Sequence, residues 1–101
     1  MRIVWDRAKS AANQRKHDVS FEDASRLLAR EGGFLEIYDD LHSVREDRFI
    51  AIGWVRRRLI VVVFAEPDDD ELRIISARVA TKAEQRIYED YEEARFRGSD
   101  S

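Results

Sequence analysis

The stretch Leu72-Arg73-Ile74-Ile75-Ser76-Ala77-Arg78-Val79 constrains the fold more than any other segment. Its apolar centre is too short for a free-standing helix and is rich in β-branched residues. It therefore predicts a strand buried on both faces. Guanidinium groups stand at its two ends, on Arg73 and Arg78. An arginine buried without a partner is costly, so each must emerge at a sheet end, meet a carboxylate or wait for an anion. Strict alternation puts Ser76 and Arg78 on one face and Arg73 with Ile75 on the other. The two arginines can share a site only if the strand twists, bulges or ends at one of them.

The rest of the chain supplies elements around that strand. Met1 to Trp5 alternates weakly, as a short edge strand would. Asp6 can cap a helix running to about His17, with Ala8, Ala11 and Ala12 as its packed side. Lys9, Asn13 and either Lys16 or His17 share another face of that helix. Ser20 opens a second helix, with Phe21, Ala24, Leu27 and Leu28 as its apolar stripe, and Gly32-Gly33 closes it. Strands follow at Phe34–Tyr38, Arg48–Trp54 and Leu59–Phe64; the last is continuously apolar and so belongs at the sheet centre. Val55 to Arg58 is short enough for a hairpin connection. Thr81-Lys82-Ala83-Glu84 is a capping box opening a last helix, with Ala83, Ile87, Tyr91 and Ala94 as its stripe. The short connections favour an antiparallel meander. The expected architecture is α+β: two N-terminal helices, a four-stranded antiparallel sheet and a C-terminal helix. Residues 1–96 form one domain and 97–101 a disordered tail.

Composition excludes several classes of function. At 101 residues the chain holds one modest core. Its net charge of −3 argues against a protein that coats nucleic acid generally. Glu66-Pro67-Asp68-Asp69-Asp70-Glu71 carries five of the negative charges, in what reads as a solvated, mobile loop; removing them from −3 leaves +2. A local basic site is therefore allowed. Cysteine is absent, which excludes disulfides and thiolate metal sites. Two histidines far apart, His17 and His42, make a poor metal-binding set, so no cofactor is expected. No apolar run approaches membrane-spanning length, and cytoplasm is the default compartment.

Three charged constellations carry two readings each. Lys16-His17 at the end of the first helix complements the helix dipole, or offers a general acid or base. Glu46 and Arg48, two apart at a strand mouth, form a surface ion pair, or a phosphate clamp with its orienter or proton acceptor. Arg56-Arg57-Arg58 blunts a sheet edge, or meets phosphates or an acidic partner. Trp5, Trp54, Tyr38 and Phe49 read as core rather than as base-stacking platforms.

Dispersed motifs go further. Trp5-Asp6, Lys9, Asn13, Lys16-His17, Val19-Ser20-Phe21-Glu22-Asp23-Ala24, His42-Ser43, Glu46, Arg48, Ile52-Gly53 and Arg73-Ile74-Ile75-Ser76-Ala77-Arg78 stand in a family's order and spacing. Over roughly residues 3 to 91 the chain resembles the BrnT-type toxins of bacterial type II toxin–antitoxin systems. The resemblance implies a RelE-like fold and a ribonuclease that arrests translation. It also implies a DNA-binding BrnA-type antitoxin that neutralises the toxin in a hetero-oligomer. Carried over residue by residue, Lys16, His17, Arg48, Arg58, Arg73 and Arg78 are the candidates for RNA binding and cleavage.

The expected chemistry is metal-independent attack of the substrate's own 2′-hydroxyl on the adjacent phosphate. His17 is the expected acid or base and Glu46 the alternative base. Arg48, Arg73 and Arg78 stabilise charge, and Lys9 and Asn13 position the Lys16-His17 corner. Two positions depart from the family pattern. Asp18 follows the Lys-His pair where glycine is usual, and Ala65-Glu66-Pro67 with three aspartates follows Phe64 where a threonine and a basic residue are usual. Negative charge beside an RNA site repels phosphate. The rival reading is accordingly a decayed toxin that only binds its antitoxin and serves in operon repression.

Overall fold

Continuous β-branched runs and short turns place five strands in one sheet, ordered β1-β5-β4-β3-β2. The computed structural model describes residues 1–99. In chain order the elements are β1 (Arg2–Val4), α1 (Arg7–His17), α2 (Phe21–Leu28), β2 (Leu35–Tyr38), a single 3-10 turn (Asp40–His42), β3 (Asp47–Val55), β4 (Arg58–Asp68), β5 (Glu71–Val79) and α3 (Lys82–Ser99). β4 is the central strand, as its apolar run requires. The expected four-stranded meander is corrected to a mixed sheet, because β1 joins β5 in parallel, Ile3 opposite Leu72. A three-residue strand paired across nearly seventy residues leaves no local signal of its partner.

α1 and α2 pack on one face of the sheet, against Ala51, Val55, Ile60, Val62, Phe64, Leu72, Ile74 and Ala77. From α2 and its approach Val19, Phe21, Ala24 and Leu27 are fully buried there. α3 covers part of the other face through Tyr88 and Tyr91, which meet Ile52, Leu59 and Val61. β5 is therefore sealed on one face only: Leu72, Ile74 and Ala77 are buried, while Arg73, Ile75, Ser76 and Arg78 are half-buried. That corrects the expectation of burial on both faces.

Local signals mostly hold. Asp6 accepts from the Lys9 amide at 3.0 Å and Ser20 Oγ from the Asp23 amide at 3.1 Å. Asp18 sits in the left-handed region at φ 56°, and its amide donates to Gln14 O. Aspartate thus supplies the turn for which glycine is usual, at modest steric cost. Arg56 and Arg57 make a two-residue hairpin between the paired Val55 and Arg58, with Arg56 at φ 59°.

Four expectations change. The alanines of α1 face solvent, and its packed positions are Ser10 and Asn13. The apolar stripe of α3 is rotated: Tyr88 and Tyr91 are packed, and Ile87 is half exposed. Glu66 and Pro67 lie in β4, where the ladder with β5 is interrupted between Ala65 and Asp68, so the turn itself is only Asp69-Asp70. Proline is tolerated there because the irregular pairing does not need its missing N–H. α3 runs through Ser99 without the expected break at 97, and Asp100 and Ser101 lie outside the described residues.

α3 is fastened at its first turn. Thr81 Oγ1 accepts from the Glu84 amide at 3.2 Å and Glu84 accepts from the Thr81 amide at 2.9 Å. Arg78 donates two bonds to the same carboxylate, each 2.7 Å. Arg78, followed by these cap bonds, holds the Glu84 carboxyl down at about 2, against an ordinary 4.5.

Two predictions follow from this packing. Gly53 lies under α2, where an added Cβ would stand 2.6 Å from Leu27 Cδ1 and 2.8 Å from Phe34 Cβ. Gly53→Ala is expected to destabilise the fold by about 1–3 kcal/mol in denaturant unfolding. Glu84, with its depressed folded pKa, contributes stability that is complete above its unfolded value. That contribution is lost as pH falls from about 5 through about 2. Glu84→Gln should lower stability at pH 7 and flatten the decline between those pH values.

Candidate active site

Register decides which charged groups meet. Arg48, Ala65 and Arg73 form one row across β3, β4 and β5, and Ile52, Val61 and Arg78 another. Between these rows Val63 pairs with Ser76 whereas Phe64 pairs with Ile74, so Ile75 is an extra, bulged residue. One inserted residue inverts the alternation beyond it. Arg73, Ser76 and Arg78 consequently share the face that carries Arg48, away from α1 and α2. Arg48 and Arg73, two strands apart, are about 10 Å from each other at the backbone, and Arg78 lies about 13 Å further along the sheet.

Each of these arginines has a different environment. Arg73 donates to Glu46 Oε1, with its side chain 42% exposed. Arg78, 38% exposed, is held by Glu84, whose hydrogen bonds push the guanidinium pKa further up. Arg48 and Arg45 pair with no carboxylate among the described residues. Sequence reasoning read Glu84 only as a capping residue. The Thr-x-x-Glu spacing after Arg78 was the available signal for its second role.

The loop before β3 is stitched to Arg48. Ser43 Oγ donates to Asp39 O at 2.6 Å and accepts from the Arg48 amide at 2.9 Å. The Asp39 amide donates to Arg48 O at 2.9 Å. So pinned, Leu41, His42, Val44, Arg45, Glu46 and Arg48 line a cleft of about 550 Å³. Through Glu46 this cleft adjoins Arg73. His42 Nδ1 stands 2.8 Å from Asp39 Oδ2.

The other expected site residues are elsewhere. Arg58 pairs with Val55, a residue of the α1/α2 core, so it points to the opposite face. It lies seven β4 residues from the Arg48 row, about 23 Å. Its guanidinium is 3.6 Å from Asp18 Oδ2, which puts the Lys16-His17 corner at that same far end. Lys16 is exposed and His17 partly so, and Lys9 is exposed on α1. Asn13 turns inward: it donates to Val19 O at 2.9 Å and Ala77 O at 2.8 Å, and accepts from the Ala77 amide at 3.2 Å. It is a positioning residue with no free donor for RNA. The described site thus unites Glu46, Arg48 and Arg73, with Arg78 further along the same face, and separates them from Lys9, Lys16, His17 and Arg58.

Acidic groups near the site are sorted by the same alternation. Asp47 and Glu66 pair with each other, one residue out of step with Arg48 and Ala65, and so face the other way. Burial, followed by repulsion from Glu36, Asp47 and Asp69, pushes the Glu66 carboxyl up. Glu71 at the acidic turn is bonded by Arg2 at 2.5 Å. Aromatic rings also lie on the far side: Tyr38 meets Phe49 edge to face at 5.3 Å, and Phe49 stacks on Phe64 at 5.4 Å.

The family model described as "Ribonuclease toxin, BrnT, of type II toxin-antitoxin system" matches residues 5–84. The crystal structure of the Brucella abortus ribonuclease toxin BrnT is 27% identical, with a TM-score of 0.64 over 81% of this chain and 99% of that one. No curated protein matches the sequence. No helix among the described residues is long and apolar enough to cross a membrane. With a family match spanning β2 to β5, the bulge and the cleft, the chain belongs to the BrnT family of ribonuclease toxins of type II toxin–antitoxin systems.

Proposed function

We propose that this chain is an endoribonuclease that cleaves RNA without a metal and thereby arrests translation. The observation that carries the reading is the Ile75 bulge, which puts Arg78 on the face that Arg48 and Arg73 already share through Ala65. Phosphate transfer within RNA needs a base for the 2′-hydroxyl, an acid for the leaving oxygen and cations facing the pentacoordinate phosphate. The substrate supplies the nucleophile. Glu46 supplies a carboxylate beside the cleft, and Arg48 and Arg73 supply planar donors that match phosphate oxygens in pairs. Arg78, fixed by Glu84, presents positive potential along the same face to the flanking backbone.

Type II toxins of this family act with an antitoxin partner. The proposed partner is a BrnA-type, DNA-binding antitoxin that covers the arginine face. Blocking the cleft would silence the toxin, and the DNA-binding half would carry the complex to its operator.

A specific observation favours a second reading. Arg73 and Arg78 are already paired with Glu46 and Glu84. A chain whose guanidiniums stay engaged would bind its antitoxin and repress transcription without cutting RNA. Cleavage of RNA by purified, antitoxin-free protein separates the two. The parent is expected to cut RNA and to slow growth when expressed alone. Arg48→Gln and Arg73→Gln are each expected to lower cleavage about a hundredfold with little change in melting temperature. Intact RNA after incubation with folded parent protein, together with normal growth, would establish the repression-only reading.

A further inference from the structure

We propose that His42, oriented by Asp39, is the general acid of this site; the assignment rests on the ribonuclease reading above. His17, the other histidine, lies at the end of α1 beside the Asp18–Arg58 pair, on the far layer of the sheet. His42 lines the same cleft as Glu46 and Arg48. Its ring is 64% exposed, whereas its partner Asp39 is only 16% exposed. The exposed part of the pair is thus the proton carrier and the buried part the carboxylate that aims it. Asp39 is itself held by the Ser43 and Arg48 backbone contacts, so the ring orientation is tied to the strand that carries Arg48.

The lining of the cleft suits a nucleotide. Leu41 and Val44 are 84% and 88% exposed and flank the polar groups with apolar surface. The cleft, about 550 Å³ and open to solvent, sets this apolar surface beside a few convergent polar groups. Glu46 uses Oε1 for Arg73, which leaves Oε2 for the substrate.

The step balances on these groups. The 2′-hydroxyl gives its proton to Glu46, and the 2′-oxygen forms a bond to phosphorus. The bond from phosphorus to the 5′-oxygen breaks, its electron pair leaving on that oxygen. His42, charged and donating Nδ1–H to Asp39, passes its Nε2 proton to the 5′-oxygen. The products are a 2′,3′-cyclic phosphate and a 5′-hydroxyl. Arg45, Arg48 and Arg73 face the charge that builds on the non-bridging oxygens.

An acid is needed only while the leaving oxygen is a poor leaving group, and that gives the test. The full chain and His42→Ala are assayed on an oligoribonucleotide and on uridine 3′-(4-nitrophenyl phosphate), whose nitrophenolate departs without a proton. His42→Ala is expected to lose about a hundredfold or more in kcat on RNA. On the aryl ester the expected loss is less than about threefold, because no proton is required. Added imidazole should restore part of the RNA cleavage. Asp39→Asn should lower kcat on RNA with KM unchanged. Equal losses on both substrates without imidazole rescue, or no loss on RNA, would overturn the assignment while the ribonuclease reading stands. A folded parent that cleaves neither substrate would overturn both.

Discussion

The pairing of β4 with β5, with Ile75 as its inserted residue, is the constraint on which the rest of the molecule depends. Without the insertion, the face that carries Leu72 and Ile74 into the core would next carry Ser76 and Arg78 beneath the helices. A guanidinium buried there without a partner would cost several kcal/mol, because it keeps its charge in an otherwise apolar core. The bulge sends Ala77 inward instead, fully buried, and turns Arg78 outward to Glu84. One backbone irregularity therefore serves both the core and the charged face.

The bulged strand also needs its outer edge managed. β1 covers β5 only as far as Arg73, leaving the later backbone groups open to another chain. Asn13 closes that edge at Ala77, giving and taking a hydrogen bond as a neighbouring strand would. This explains why the polar side of α1, and not its alanines, is the packed one. A buried amide with all its partners contributes about 1 kcal/mol per bond, and loses more if one partner goes. It also fixes α1 to the sheet at a residue pair far apart in sequence.

The ion pairs on the open face are better seen as orienting than quenching. Partly exposed pairs of this kind contribute roughly 0–1 kcal/mol, so an incoming phosphate can exchange for a carboxylate at little cost. Glu84 differs, since its carboxyl also caps α3 and is held at about 2. Displacing it would loosen a helix as well as an ion pair. The acidic turn, for its part, is confined to two residues beyond the sheet, and Glu66 and Asp47 are screened from Arg48 by the sheet itself.

Much of this was legible in the residues. Period and caps located all three helices and four of the strands, because capping and apolar spacing act within a few residues. The continuous run Leu59–Phe64 identified the central strand, and the alternation in Leu72–Val79 posed the question of how Arg73 and Arg78 could meet. The answer was tertiary. Whether a strand bulges depends on what its neighbour demands, and β4 shows that only in pairing. The same holds for β1, whose partner lies nearly seventy residues away, for Asn13, whose partners are backbone groups of Val19 and Ala77, and for Arg58 and His17, which are expected site residues like Arg48 but are carried to another layer. Sequence determined which local elements form and which residues can bear charge. Only the folded sheet decided which of those charges stand together, because hydrogen-bond register between distant strands sets the face on which each side chain emerges.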